Sequence, residues 1–166
     1  MMMLNLISVA LTAALTLTSV IANPLPSTLD ETGAELEARG NWHYPKTHRV
    51  IVGADGKLIY KPEYVNAKVG DYVRFEFRPK NHTVTESSFN QPCNRIDGGF
   101  RTGFIPVSPD TKHFPTRIFK VTDDKPHWFY CGQTAHCPAG MVFAVNPPHK
   151  GNTFHQFRET AKSSGK

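Results

Sequence analysis

The sequence contains few charged residues and only three cysteines. Charged side chains make up 20% of its 166 residues, whereas hydrophobic side chains make up 39%. This length and apolar content suffice for one compact domain with its own core and are too small for two domains of ordinary size. We therefore expect a single folded domain.

The sequence also lacks any run of lysine and arginine, although its formal net charge is +5. Residues 23–40 carry a net charge of −3, so residues 41–166 carry +8. Because no basic cluster or basic helix face concentrates this charge, the sequence argues against nucleic-acid binding. We expect instead a cationic surface that is attracted to an acidic cell wall or membrane.

The first 22 residues lack Asp, Glu, Lys and Arg altogether. They form an apolar segment with Val20 and Ala22 at the positions that signal peptidase requires to be small, so we predict a signal peptide over residues 1–22. A transmembrane anchor is the alternative, but no basic stop-transfer cluster follows the segment. Residues 23–40 are predicted to form a flexible acidic leader.

The C-terminal segment, residues 148–166, is polar and lacks a hydrophobic end. We predict that it forms a polar basic tail and that the protein has no GPI anchor. Together with the predicted signal peptide, this indicates a secreted protein that is extracellular or associated with the cell wall.

Residues 41–147 show no apolar spacing at 3.6 residues over three helical turns. They contain short runs with apolar residues at alternate positions, which is typical of strands, and glycine or proline lies between the runs. The runs are residues 48–52, 58–60, 72–77, 82–86, 118–121, 127–130 and 141–145. This pattern predicts an all-β domain over residues 41–147, a Greek-key antiparallel β-sandwich of about seven or eight strands.

The three cysteines are Cys93, Cys131 and Cys137. An exported chain with three cysteines can close one disulfide and has one thiol left over. That thiol can be buried and inert, can form an intermolecular disulfide, or can bind a metal ion.

A metal ion is favoured by the segment that follows Cys131. It places a thiolate, an imidazole and a thioether at Cys131, His136 and Met141, with four residues between successive members. Type 1 copper sites use one Cys, two His and a weak axial Met. His82, which opens the alternating run 82–86, is the best candidate for the second imidazole. Met141 could also be an ordinary core residue.

With these four residues the sequence resembles the cupredoxins, in particular the phytocyanin-like type 1 (blue) copper domains and the fungal extracellular cupredoxin-like proteins. The resemblance covers about residues 45–147. It implies one copper ion held by His82, Cys131, His136 and Met141, and a disulfide between Cys93 and Cys137.

The resemblance further implies a secreted carrier of single electrons that is not an enzyme and whose redox partner is unknown. The alternative is an extracellular module with the same fold that sequesters copper or interacts with the cell wall and transfers no electrons. A third alternative is a metal-free structural or effector protein that contains one disulfide. We expect a monomer.

Two further features of the sequence concern the surroundings of this copper site and the remaining histidines. Asn81, His82 and Thr83 form a glycosylation sequon, so Asn81 is a candidate glycosylation site. Six histidines have no partner at ligand spacing and are expected to be ordinary strand or surface residues: His43, His48, His113, His127, His149 and His155.

Overall fold

The computed structural model describes residues 44–165. The predicted signal peptide and the predicted leader lie outside the described residues. Within them the chain forms eleven strands and one α-helix: β1 (Thr47–Val52), β2 (Tyr60–Lys61), β3 (Tyr64–Val65), β4 (Tyr72–Phe77), β5 (Lys80–His82), β6 (Thr85–Ser88), β7 (Gln91–Arg95), β8 (Ile105–Val107), β9 (Thr116–Lys120), β10 (His127–Tyr130), β11 (Val142–Val145) and α1 (Phe154–Ser163). A single turn of 3-10 helix, Ala54–Gly56, follows β1.

The strands form two main sheets and a small two-stranded sheet. The first sheet has the order β2-β1-β4-β9, the second has the order β3-β11-β10-β6-β7, and β5 pairs with β8. The all-β class is confirmed. The strands number eleven rather than seven or eight, and two neighbouring pairs, β1 with β4 and β3 with β11, run parallel. The sandwich is therefore mixed rather than purely antiparallel.

The main hydrophobic core lies between the two large sheets. Alternate residues of β4, such as Val73, Phe75 and Phe77, are fully buried, as their period of two requires. Phe75 of the first sheet packs edge-on against Phe143 of the second, with ring centroids 5.3 Å apart. Aromatic contacts of this kind join the two sheets into one core.

A second, smaller core lies between the second sheet and α1. The helix buries Phe154, Phe157 and Ala161, which follow one another at three and four residues and so share one face. Thr153 and Gln156 form a capping box that begins the helix. The prediction of a polar tail over residues 148–166 therefore missed this helix, because only three apolar residues in the segment mark the buried face.

Among residues 44–165, no helix has the length and apolar content that crossing a membrane would require.

Candidate metal centre

The loop from Cys131 to Met141 is closed by its own backbone. Cys131 begins it directly after β10, and its N–H donates to the carbonyl of Met141 at 3.0 Å. The N–H of Met141 donates in turn to the carbonyl of His136 at 3.0 Å, and the N–H of His136 donates to Gln133 at 3.0 Å. These bonds bring the three predicted loop ligands into one short segment.

His82 reaches the same place from the last position of β5, which pairs with Ile105 of β8. The ring of His82 is completely buried, and its Nδ1 lies 3.9 Å from Sγ of Cys131. The predicted strand over residues 82–86 is interrupted after His82, since β6 begins only at Thr85. His82 therefore belongs to β5, and the following strand, β6, is a separate element.

The structure brings three of the four predicted ligands together. Sγ of Cys131 lies 3.3 Å from Nδ1 of His136, and the two imidazole rings are 5.1 Å apart between centroids. One donor atom from each of His82, Cys131 and His136 lies within 4.8 Å of the other two. His82 and Cys131 are buried whereas His136 is half-buried, so the cluster approaches solvent at His136.

Met141 lies beside this cluster in sequence and is fully buried in the main core together with Cys131. Its backbone is hydrogen-bonded to both Cys131 and His136. Its role as the axial thioether ligand stays a prediction.

The electrostatics of the cluster suit a metal ion. Burial and, to a lesser extent, the neighbouring His136 ring lower the pKa of His82 to about 4. Burial and then Lys80 lower the pKa of His136. Both imidazoles are thus neutral at pH 7, as metal ligands must be.

Burial also raises the pKa of the Cys131 thiol, although backbone N–H groups of Thr83 and Gln133 act in the opposite direction. Without a metal ion the thiol is therefore protonated at neutral pH and is expected to be a poor nucleophile. A bound cation would replace that proton. Two imidazoles and one buried thiol are the donors of a type 1 copper site, so the cluster fits the predicted cofactor, one type 1 copper ion.

Thr83, the residue after His82, makes three hydrogen bonds near the site, two of them with the ligand loop. Its N–H donates to Sγ of Cys131 at 3.3 Å, and its hydroxyl oxygen accepts from the N–H of Gly132 at 2.6 Å. Its carbonyl accepts a hydrogen bond from the hydroxyl of Tyr60 at 2.7 Å. Sequence analysis did not identify Thr83 and Tyr60 as site residues. The position of Thr83 directly after His82 was the available signal, whereas nothing local marks Tyr60.

Gly53 is a second residue that sequence analysis missed. It adopts φ +77°, and a Cβ at this position would lie 2.4 Å from Nε2 of His82. Glycine is therefore required twice here, for the left-handed backbone and for the space that the imidazole occupies. The ring of His82 has Gly53 on its Nε2 side and Cys131 on its Nδ1 side.

The predicted disulfide is confirmed. Cys93 of β7 is bonded to Cys137, the residue after His136, and the third cysteine, Cys131, is free and buried. Cys137 belongs to the second core beneath α1. The ligand loop is thus joined covalently to β7.

The remaining predictions concern residues near or outside the cluster. The side-chain amide of Asn81 is half-buried and donates to Oε1 of Gln133 at 3.1 Å, and its glycosylation stays a prediction. Within residues 44–165, no other group of three His, Cys, Asp or Glu residues has metal-site geometry. His48 contacts Asp71 and His127 contacts Glu86. The other described histidines outside the cluster, His113, His149 and His155, are exposed.

No protein-family model matches the sequence. Among curated proteins, the chain is 30% identical over 120 residues to the probable GPI-anchored cupredoxin-1 of Arthroderma benhamiae, an alignment that covers 72% of this chain and 61% of the relative. The resemblance to cupredoxins is confirmed. The described domain is therefore called cupredoxin-like below.

A second relative from Arthroderma benhamiae is an extracellular serine-rich protein, 32% identical over 117 residues that cover 70% of this chain and 45% of the relative. The cupredoxin-like chain thus spans about three fifths of the length of the first relative and less than half of the length of the second. The prediction that no GPI anchor is present is not supported, because the first relative is named as GPI-anchored.

Solved structures with a similar backbone include a purple cupredoxin from Nitrosopumilus maritimus, with a TM-score of 0.45, 14% identity, and coverage of 59% of this chain and 96% of that chain. A pseudoazurin from Hyphomicrobium denitrificans has a TM-score of 0.45, 19% identity, and coverage of 72% and 98%.

Proposed function

We propose that this protein is a type 1 copper protein that carries one electron at a time outside the cell. The observation that carries the proposal is the convergence of two neutral imidazoles and one buried thiol within 4.8 Å. Copper bound there would supply a centre that alternates between Cu(II) and Cu(I). His82, Cys131, His136 and Met141 would hold the ion, since two imidazoles, one thiolate and one thioether are the ligands of such centres.

The surrounding chain would keep this geometry nearly constant. Cys131 is held by the N–H of Thr83, and the loop ligands are held by the backbone bonds that close the loop. The disulfide at Cys137 restrains the residue next to His136. A site that changes little between oxidation states lowers the reorganisation that accompanies each electron transfer. The half-buried edge of His136 is the proposed place for electrons to enter and leave.

We propose that the protein acts outside the cell or at its surface, and that it is a carrier rather than an enzyme. The proposed location rests on the predicted signal peptide and on the two relatives, which are named as GPI-anchored and extracellular. The proposal that it is a carrier rests on the donor set itself, two imidazoles and one buried thiol, which is the set that type 1 copper sites use. The redox partner remains to be identified.

Voltammetry of the copper-loaded protein tests the proposal of electron carriage. We expect one reversible one-electron wave from the parent protein and from His113→Ala, which changes an exposed histidine outside the site. His82→Ala should remove the wave. Copper that binds tightly but gives no reversible wave in the parent protein would refute electron carriage and favour copper sequestration.

A further inference from the structure

A basic groove opens on the surface on the side of His82 that faces away from Cys131. It has a volume of about 430 Å³ and is lined by Arg49, Gly53, Asp55, Lys61, Arg78 and Phe114, among others. The lining side chains named here carry three positive charges and one negative charge, and with the carboxylate of Glu76 that pairs with both arginines the net charge is +1. A concave site with this excess of positive charge attracts small anions.

Two arginines of the basic groove are held in place by one carboxylate. The guanidinium groups of Arg49 and Arg78 contact the same oxygen of Glu76, at 2.8 and 2.6 Å. Arg78 also lies over the ring of Phe114, with its guanidinium carbon 3.9 Å from the ring centroid. Two guanidinium groups that share one carboxylate retain a net positive charge, which favours an anion beside them.

The basic groove meets the ring of His82 in the proposed metal centre at Gly53. Gly53 lines the groove, and a Cβ on Gly53 would lie 2.4 Å from Nε2 of His82. Nδ1 of the same ring faces Cys131 at 3.9 Å. The imidazole therefore extends from the backbone beneath the groove to the donor cluster. Lys80 adds a further cation here, since its Nζ donates to the carbonyl of Gly56 in the same turn at 2.9 Å.

We propose that the basic groove binds a small anionic redox molecule, and that electrons pass between this molecule and the metal centre through Gly53 and His82. This second electron-transfer surface is distinct from the edge of His136 and rests on the proposed function. With copper bound, an anionic donor would lose one electron to Cu(II), which would become Cu(I), and the donor would leave in its one-electron-oxidised form. No atom or proton has to be transferred.

Binding is tested first, without relying on electron transfer. Hexacyanochromate(III), a paramagnetic anion that does not exchange electrons under these conditions, is titrated into the full chain with and without Cu(I). We expect it to broaden the amide signals of Gly53, Asp55 and Gly56 selectively. Arg49→Gln combined with Arg78→Gln should abolish this broadening. Arg117→Gln, which removes an exposed arginine outside the groove, should leave it unchanged.

Lys61→Gln provides a second groove variant, because Lys61 is 65% exposed and its replacement leaves the Glu76 contacts intact. It should weaken the broadening. Broadening spread evenly over the surface, or unchanged in the groove variants, would overturn the proposal. Binding of polyaspartate without any effect of the small anion would also overturn it and would indicate an acidic protein as the ligand.

Electron transfer is tested next, in stopped-flow measurements on the copper-loaded protein. Reduction by hexacyanoferrate(II) should slow roughly tenfold in the double arginine variant, since cationic surfaces raise encounter rates by such factors. Reduction by the cation hexaammineruthenium(II) should not slow. Equal rates for hexacyanoferrate(II) in the variant and the parent would overturn the route. A colourless copper-loaded protein that still shows selective broadening would refute the proposed function and leave the anion site standing.

Discussion

Gly53→Ala is the substitution for which the structure gives the sharpest expectation. The new methyl group would stand 2.4 Å from Nε2 of His82, and the residue would keep φ +77°. A left-handed non-glycine residue costs about 1–2 kcal/mol, and overpacking a buried contact costs about 1–3 kcal/mol. We therefore expect the free energy of unfolding to fall by about 2–5 kcal/mol. Cys131 lies on the opposite side of the ring, so a ring displaced by the methyl group would move towards Cys131, and copper should bind at least tenfold more weakly, about 1.4 kcal/mol.

Gly56→Ala is the matched control for this change. Gly56 has nearly the same backbone, with φ +68°, but a Cβ there would meet no atom within 4 Å. It should lose only the conformational part, about 1–2 kcal/mol, and keep the copper affinity of the parent. Urea unfolding measures the stabilities, and competition with a coloured chelator measures the affinities. Equal copper affinities for the two variants would refute the claim that Gly53 makes room for a ligand.

Three further predictions concern stability. Replacing Cys93 and Cys137 together by alanine should lower the free energy of unfolding by about 4 kcal/mol, because the bridge closes a loop with a sequence separation of 44; equal urea midpoints would contradict this. The pKa of His82, about 4, lies below its unfolded value of 6.5, so the unfolded chain binds the proton first as the pH falls. The free energy of unfolding of the metal-free protein should therefore decrease by up to about 3 kcal/mol between pH 6.5 and pH 4. His82→Asn should remove this part of the pH dependence, and an unchanged slope would refute it. Phe157→Ala, at a fully buried position under the helix, should cost about 3–5 kcal/mol in thermal or urea unfolding, whereas Thr160→Ala on the exposed face should cost less than about 0.5 kcal/mol.

The donor cluster was accessible from the sequence because its chemistry is local. Cys131, His136 and Met141 lie in one short loop, and a thiol, an imidazole and a thioether at regular spacing have few other uses together. His82 was identified because it opens the alternating run 82–86 and because the resemblance to cupredoxins implies a histidine ligand there. Its burial and its contact with Cys131 required the folded structure, because they depend on the pairing of β5 with β8.

The supporting residues could not be predicted in the same way. Gly53 and Tyr60 act across the fold, and no local pattern indicates that a glycine after β1 lies against the ring of His82. Alternation along β1 and β4 predicts two strands but not that they pair in parallel. The helix α1 was missed because its buried stripe is short and its other face is strongly polar.

A copper titration followed in the visible spectrum tests the central claim most directly. Adding one equivalent of Cu(II) to the parent protein should produce an intense charge-transfer band from the thiolate of Cys131 to copper. Cys131→Ser should bind without this band, because a hydroxyl cannot supply it. A parent protein that stays colourless after it has bound Cu(II), or a band that persists in Cys131→Ser, would contradict the proposed site.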